Sequence, residues 1–384
     1  FPWGKLFPVV LRDSWGLLRI AGGTPTYPDE SGRAPSPKGG ILIKNLINRP
    51  TRHAILRGRL YKLSNSMNFQ DIVLWSKTEI EKFLEKTPRW IVIIRGATAT
   101  GKSKLSIELS RFFDIEIISS DSRQIFRKMN IGTDKVSDAV LREIPHHQIN
   151  IVDPDQTYTS GEWQKDVKKQ IKEIQSRWKI PFIIWGTGLY IDTIYKNFDM
   201  PEIWPDHDFR KEMFDLENKE AWILHKKLSE IDPEEAKKHH PDSTRYIVRA
   251  LEIFHKSGKT KTDTFKEQNV EQPILMIGIR RDKESTNELI AKRIKEMINW
   301  WLIEEVKWLL EEWYSPTLQS MQWIWYKEVV GYLEWEYDIE EMENLLNKNT
   351  QYLAKKQRTW FRRYIEDWEK HPKKDVSYKV WYLD

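Results

Sequence analysis

The sequence predicts an α/β fold: a parallel sheet flanked by helices, interrupted by a helical insertion subdomain and followed by a helical C-terminal region. Three observations carry that expectation. From Trp90 onward, short apolar runs alternate with helical spacing, in the order "IVIIRG", "GKSKLSIELSRFF", "IEIISSD", "SRQIFRKM". Between the first run and the first helix stands "GATATGKS", residues 96–103, which fits G-x-x-x-x-G-K-[ST] in the strand-to-helix context that phosphate binding needs. After residue 199 the pattern turns charged, helical and proline-punctuated, as in "MPEIWPDHDFR" and "EIDPEEAKKHHPDS". The expected sheet is therefore P-loop NTPase-like.

Taken in order, residues 1–66 contain "GGTPTYPDESGRAPSPKGG" and no apolar periodicity, so an irregular segment is expected there. The chain opens at Phe1, and Met67 opens the first well-patterned stretch; translation is expected to begin at Met67. Residues 67–199 form the expected P-loop core, closing with the strand "IPFIIW", the turn "GTG" and the helix "LYIDTIY". Residues 200–243 are the insertion. Residues 244–370 return to the core through "STRYIVRALEIFHKSGK" and the strand "ILMIGIR", then run on as long helices, leaving 371–384 as a tail. No internal repeat is present.

The totals bound the function. At 384 residues and 40% hydrophobic content, two or three folding units with a sizeable core are expected. Lys+Arg number 62 against 57 Asp+Glu, a net charge of +5 that suits a polyanionic partner without demanding one. Between residues 351 and 374 the basic side chains outnumber the acids, with Trp360, Phe361 and Trp368 interleaved. There is no cysteine, so disulfides and thiolate metal sites are excluded, and a metal must rest on oxygen or imidazole. No run approaches the ~18 apolar residues of a membrane span, no signal-peptide pattern opens the chain, and a cytoplasmic location is expected.

The loop carries the first chemistry. Amides of Gly96, Ala97, Thr98, Ala99, Thr100 and Gly101, with the positive end of the helix that follows, can cradle a diphosphate. Lys102 can neutralise it and Ser103 can hold Mg²⁺. Which phosphate compound enters is not fixed by the loop. Asp121, ending "IEIISSD", can be read as a metal helper, as a general base at the sheet's C-terminal edge, or as a helix cap before "SRQIF". His146 and His147 are adjacent and point apart, which fits a turn into a strand better than a metal site.

"GATATGKS", "IISSDSRQIFRKMNIGTDK", "PHHQINIVDPDQTYTSGEW", "GTGLY", "RYIVRALEIFHKSGK", "MQWIWYKEVVGYL" and "AKKQRTWFRR" follow one another in the order and spacing of one family. Over roughly residues 91–364 the chain resembles the tRNA dimethylallyltransferases, also called tRNA isopentenyltransferases. The resemblance implies that the diphosphate is that of dimethylallyl diphosphate and that the acceptor is the adenosine 3′ of a tRNA anticodon, flipped from its stack. It implies Asp121 as the base for the exocyclic amine, with Thr187 helping to orient that amine. Thr98 and Arg249 match positions that contact diphosphate, with Mg²⁺ beside them. Ser122, Arg123 and Gln124, together with Asp121, are implied to line the flipped nucleotide; Arg245, Gln322, Tyr326 and Lys327 fall in the other tRNA-contact stretches. A solvated Arg245 and a core Tyr326 are the ordinary alternatives. The protein is expected to act as a monomer. A P-loop small-molecule kinase and a non-catalytic RNA-binding homologue are the rival functions.

The chain departs from the family pattern in one direction. It has 19 Trp and 17 Gly, where usage near 7% predicts about 27 Gly. Trp185 in "WGTG", Trp325 in "IWYK", and Trp178, Trp301, Trp313 and Trp335 all stand where the family has glycine. The expectation is that many of these are glycine in the living protein, encoded by UGA in a genome that reads UGA as glycine; UGG at Trp185 and Trp325 would end that explanation. Trp360 matches a family tryptophan and is expected to be genuine. A true Trp185 should crowd the site, and Trp185→Gly should restore activity.

Overall fold

The computed structural model describes residues 68–85, 89–198, 200, 203–370 and 376–383. The expectations for residues 1–66 and Met67 lie outside them. Six strands, β1 (Ile91–Arg95), β2 (Ile115–Ser120), β3 (His146–His147), β4 (Ile180–Trp185), β5 (Ile274–Arg281) and β6 (Val376–Leu383), form one sheet in the order β3-β2-β4-β1-β5-β6. Every pairing is parallel. A parallel sheet is covered on both faces, and its central strands β1 and β4 are mostly apolar for that reason.

Alternation along the strands divides the core. Val92, Ile94, Ile117 and Ile277 face α1 (Phe69–Leu84) and α2 (Lys102–Leu109) through Ile72, Ile80, Leu105 and Leu109. Ile91, Ile93, Ile118 and Met276 face the other way. That second layer includes α4 (Ser160–Ser176), which begins with a Thr159–Glu162 capping box, and α5 (Gly188–Tyr195). It also includes α11 (Lys283–Asn299), α12 (Leu302–Glu311), α13 (Tyr326–Leu333) and the long α14 (Ile339–Lys370). The short α3 (Asp138–Glu143) precedes β3.

The insertion holds α6 (His207–Lys219), α7 (Ile223–Ile231) and α8 (Pro233–Ala236), as the charged, proline-marked pattern predicts. Its apolar centre also takes Ile247, Val248, Ala250 and Leu251 from α9 (Thr244–Ser257), which is followed by α10 (Lys261–Thr264). A boundary at residue 243 therefore cuts the insertion's own core: α9 buries its stripe against α6 and α7, not against the sheet.

Two further expectations need correction. "SRQIFRKM" forms no helix. The Asp121 carboxylate accepts from the Arg123 amide at 2.8 Å, Lys128 is left-handed, and Phe126 bridges to Val152, so side-chain and long-range partners take the groups a helix would use. The expected tail contains β6, parallel to β5 from Val376 to Leu383. No helix among the described residues is long and apolar enough to cross a membrane.

Backbone angles bear on the tryptophans. Of twelve described non-glycine residues with positive φ, six are Trp: 178, 222, 301, 313, 325 and 335. Three occupy one motif. After α4, the Trp178 amide donates to Gln175 and the Lys179 amide to Ile174; after α12, Trp313 donates to Leu310 and Tyr314 to Leu309; after α13, Trp335 donates to Tyr332 and Glu336 to Gly331. Each is a Schellman motif with Trp at C′, the position that favours glycine because a Cβ is strained there. Trp185 is different. It has no positive φ, ends β4 and lies 2% exposed, edge-on to Phe361 and Tyr364, with its indole N–H unpartnered. The bend follows beside it at Gly186, where the turn "GTG" is expected, and the strain argument does not apply to Trp185.

Candidate functional site

β1 delivers the chain to the phosphate loop, and α2 receives it at Gly101, whose φ of 90° a side chain would make strained. The loop closes on one carbonyl: Ala97 accepts from the Thr100 hydroxyl and from Lys102 Nζ, both at 2.8 Å. Lys102 and Ser103 open the first turn of α2, where unpaired amides and the helix dipole favour an anion. Burial pulls the Lys102 ammonium down to about 8; Arg293 adds to this, and Asp121 and Asp134 oppose it. A cation in that condition gains most from an incoming polyanion.

The second half of the site is the edge where β2 and β4 end side by side. Gly186 N–H donates to the Ser120 hydroxyl at 3.2 Å and Thr187 N–H to the Ser120 carbonyl at 2.7 Å. The Thr187 hydroxyl accepts from the Ser122 amide and donates to the Ser122 hydroxyl, both at 3.0 Å. The strands thereby fix Asp121 between them. A Cβ on Gly186 would lie 2.3 Å from Asp121 Oδ2, so this glycine is the wall that lets the carboxylate stand there. Burial pushes the Asp121 carboxyl up, against the Arg123 amide, the Arg123 guanidinium and Lys102, which stabilise its charge.

One side chain ties the halves together. Gln357, on α14, accepts from the Thr98 amide at 2.8 Å and donates to the Gly186 carbonyl at 3.1 Å. Phosphate loop and carboxylate are thus two edges of one cleft. Arg123 covers the acid side with its guanidinium 4.0 Å from the Trp323 ring centroid, while Tyr190 stacks on Trp163 at 4.6 Å.

The other expected residues divide. Ser122 and Arg123 adjoin Asp121, and Arg245, Gln322 and Lys327 are exposed. Gln124 is spent internally, accepting from Ser119 and donating to the Thr133 and Asp134 carbonyls. Tyr326 is fully buried and donates to Glu305 at 2.7 Å. Expected at the RNA, it instead helps Glu305 hold the amides of Asn130, Ile131 and Gly132, because a phenol without exposure cannot meet a partner from solvent. Arg249 is ion-paired with the buried Glu252 and donates to the Ile203 carbonyl, both at the insertion, and makes no hydrogen bond to the loop among the described residues. His146 and His147 form β3, where His147 bonds Glu116, and no cluster of three metal-ligating side chains occurs among the described residues.

The sequence reading missed Gln357, Arg293 and Asp134. Gln357 stands within "AKKQRTWFRR", a stretch dominated by basic and aromatic residues. Arg293 sits on an ordinary amphipathic helix that carries no local signal.

Comparison with known proteins locates this architecture. Residues 124–364 match the family model described as IPP transferase. A tRNA dimethylallyltransferase of Thermotoga petrophila is 40% identical over 276 residues, covering 72% of this chain and 90% of the relative. One from Bacillus subtilis is 40% identical over 214 residues, covering 55% and 68%. Among solved structures, the full-length tRNA isopentenylpyrophosphate transferase of Bacillus halodurans is similar at 33% identity and a TM-score of 0.54, covering 78% of this chain and 92% of its own. A eukaryotic dimethylallyltransferase acting on tRNA is similar at 28% identity and a TM-score of 0.64, covering 76% and 74%.

Proposed function

The chain belongs to the tRNA dimethylallyltransferase, or IPP transferase, family, and from that premise we propose that it prenylates the adenosine 3′ of a tRNA anticodon, using dimethylallyl diphosphate. The observation that carries this is the meeting of Asp121 with the phosphate loop, joined through Gln357. The exocyclic amine of adenine is a weak nucleophile because its lone pair is delocalised. As its nitrogen bonds to C1 of the allyl group, the C1–O bond breaks and the electron pair leaves with diphosphate. The amine proton passes to the Asp121 carboxylate. Lys102 and the loop amides hold the departing charge.

Mg²⁺ fits the oxygen donor here, the Ser103 hydroxyl at the start of α2, where diphosphate oxygens would join it as ligands. Bound there with diphosphate, it would supply further charge neutralisation. Thr187 holds Ser122 in place beside the base. Arg123, exposed Gln322 and Lys327, and Arg245 on α9 are assigned to the RNA, with the insertion facing the anticodon stem. The protein is assigned to the cytoplasm, acting as a monomer.

The test is transfer of labelled prenyl from dimethylallyl diphosphate to an anticodon stem-loop, without ATP. Label in the RNA supports the reading; ATP consumed in phosphorylating a small molecule, with no label transferred, would replace it with a kinase. Gly186→Ala tests the geometry of the base. The added carbon must displace the Asp121 carboxylate, so kcat is expected to fall about tenfold or more, while stem-loop affinity stays within about twofold. An unchanged kcat would show that the carboxylate need not stand where Gly186 permits it.

A further inference from the structure

Glu305 is a carboxylate for which no step above has a use. From α12 its Oε2 accepts the amides of Asn130 and Ile131 at 2.7 and 2.8 Å, and its Oε1 accepts the Gly132 amide at 3.1 Å and the Tyr326 hydroxyl at 2.7 Å. Successive amides turned to one side make a concavity that suits an anion, and here a helix 173 to 175 residues away supplies it. The segment also closes on itself. The Thr133 hydroxyl donates to the Met129 carbonyl at 2.6 Å, and Lys135 Nζ donates to the Phe126 carbonyl and to the side chains of Asn130 and Asn150. What a turn already closed from within gains from a distant carboxylate is a fixed place relative to α12.

Both ends of this connection lead to the reaction. On one side, Gln124 donates to the carbonyls of Thr133 and Asp134 and accepts from the Ser119 hydroxyl on β2, beside the strand end that carries Asp121. Burial pushes the Asp134 carboxyl up and pulls the Lys135 ammonium down to about 8, and the charge of Asp121 acts on both. Residues 129–135 are therefore a wall of the cleft on its acid side. On the other side stands Tyr326, the first residue of α13, with its ring so close to Gly132 that a Cβ there would lie 2.6 Å from it. Gln322 and Lys327, assigned above to the RNA, are exposed on either side of that buried phenol.

We propose that Glu305 is a positioning residue for the transfer: through Tyr326 it registers the RNA-facing start of α13 to the wall beside Asp121, so that RNA seated on α13 has its adenine amine set against the carboxylate. This rests on the reading above that RNA is the acceptor. Glu305 touches none of the reacting atoms: the amine nitrogen still bonds to C1, diphosphate leaves with the electron pair, and the proton goes to Asp121. What Glu305 governs is the distance between amine and carboxylate, where a misplacement of about 1 Å can cost about 10²-fold in rate.

Single-turnover prenyl transfer to an anticodon stem-loop tests this, because its rate constant does not depend on the fraction of protein folded. Glu305→Ala is expected to lower that rate constant by about tenfold or more, with affinities for the stem-loop and for inorganic diphosphate within about twofold of wild type. Glu305→Gln keeps one acceptor oxygen and should retain part of the rate. Tyr326→Phe should lower the rate by a smaller factor and cause no further loss in Glu305→Ala, since the phenol acts only through the carboxylate. A wild-type rate constant in Glu305→Ala overturns the proposal. So does a rate lost only in proportion to stem-loop affinity, which would make Glu305 a support of RNA binding alone. If Glu305→Ala does not fold, Glu305→Gln and Tyr326→Phe carry the comparison, and wild-type rate constants in both overturn it.

Hydrogen exchange separates this link from the functional reading. Stem-loop binding should slow exchange of the Asn130, Ile131 and Gly132 amides in the wild type and affect them much less in Tyr326→Phe. Exchange that ignores the stem-loop overturns the proposal even where prenyl transfer proceeds. A wild type that binds the stem-loop and slows those amides, yet transfers no prenyl, would sink the functional reading and leave the link between α13 and the wall standing.

Discussion

Asp121→Asn should reduce prenyl transfer by roughly 10²- to 10⁴-fold, the range for removing a general base, while leaving stem-loop affinity nearly unchanged. The substitution keeps the shape of the side chain and its acceptor for the Arg123 amide, so the loop after β2 should hold. What it loses is the capacity to take a proton. Burial raises the Asp121 pKa from the ordinary aspartate value, with Arg123 and Lys102 opposing the rise. A base works only when deprotonated, so wild-type kcat/KM should fall with decreasing pH through a limb lying above the ordinary aspartate range. That limb should be absent in Asp121→Asn. An Asn variant with wild-type turnover and the same acid limb would remove Asp121 as the base. Loss of activity restored by raised Mg²⁺ would assign the carboxylate to the metal instead.

The sheet was legible because its signals are local. Apolar runs of five or six residues, a loop of fixed spacing and a proline-marked insertion each act within a few neighbours, and β1, β2, β4 and β5 stand where those signals put them. The failures share a cause as well. "SRQIFRKM" has helical spacing, yet its backbone is claimed by the Asp121 side chain and by Val152, the latter distant in sequence. α9 reads as a return to the core because nothing in its own sequence says which apolar surface it will cover. Within the site, the loop and Asp121 were visible as motifs. Gln357 and Arg293 gain meaning only when α14 and α11 fold back across the sheet, at sequence separations of 259 and 195 residues. Tyr326 shows the converse: a family motif fixes the residue type but not whether its hydroxyl faces solvent or Glu305.

The triple substitution Trp178→Gly, Trp313→Gly and Trp335→Gly should stabilise the protein. All three indoles are more than nine-tenths exposed, so their removal leaves no cavity. All three sit at C′ of a Schellman motif with φ between 61° and 66°. A side chain there costs about 1–2 kcal/mol relative to glycine, and glycine returns roughly 0.5–1 kcal/mol of that through the freedom of the unfolded chain. The net gain is then about 0.5–1 kcal/mol per site. The sites close three different helices and should add, giving about 1.5–3 kcal/mol and a Tm higher by roughly 2–5 °C. Trp325 is left out because two terms oppose each other there: φ of 90° favours glycine, but the indole is only 6% exposed and fills part of the core. Trp185 is left out because its φ is not positive. A differential scanning measurement decides the matter, and a triple variant that melts at or below the parent temperature would show that these turns do not store the strain their angles imply. A rise would fit glycine as the residue these helix ends were built around, and it would extend that reading to Trp222, which shares their left-handed backbone although the sequence alone did not single it out.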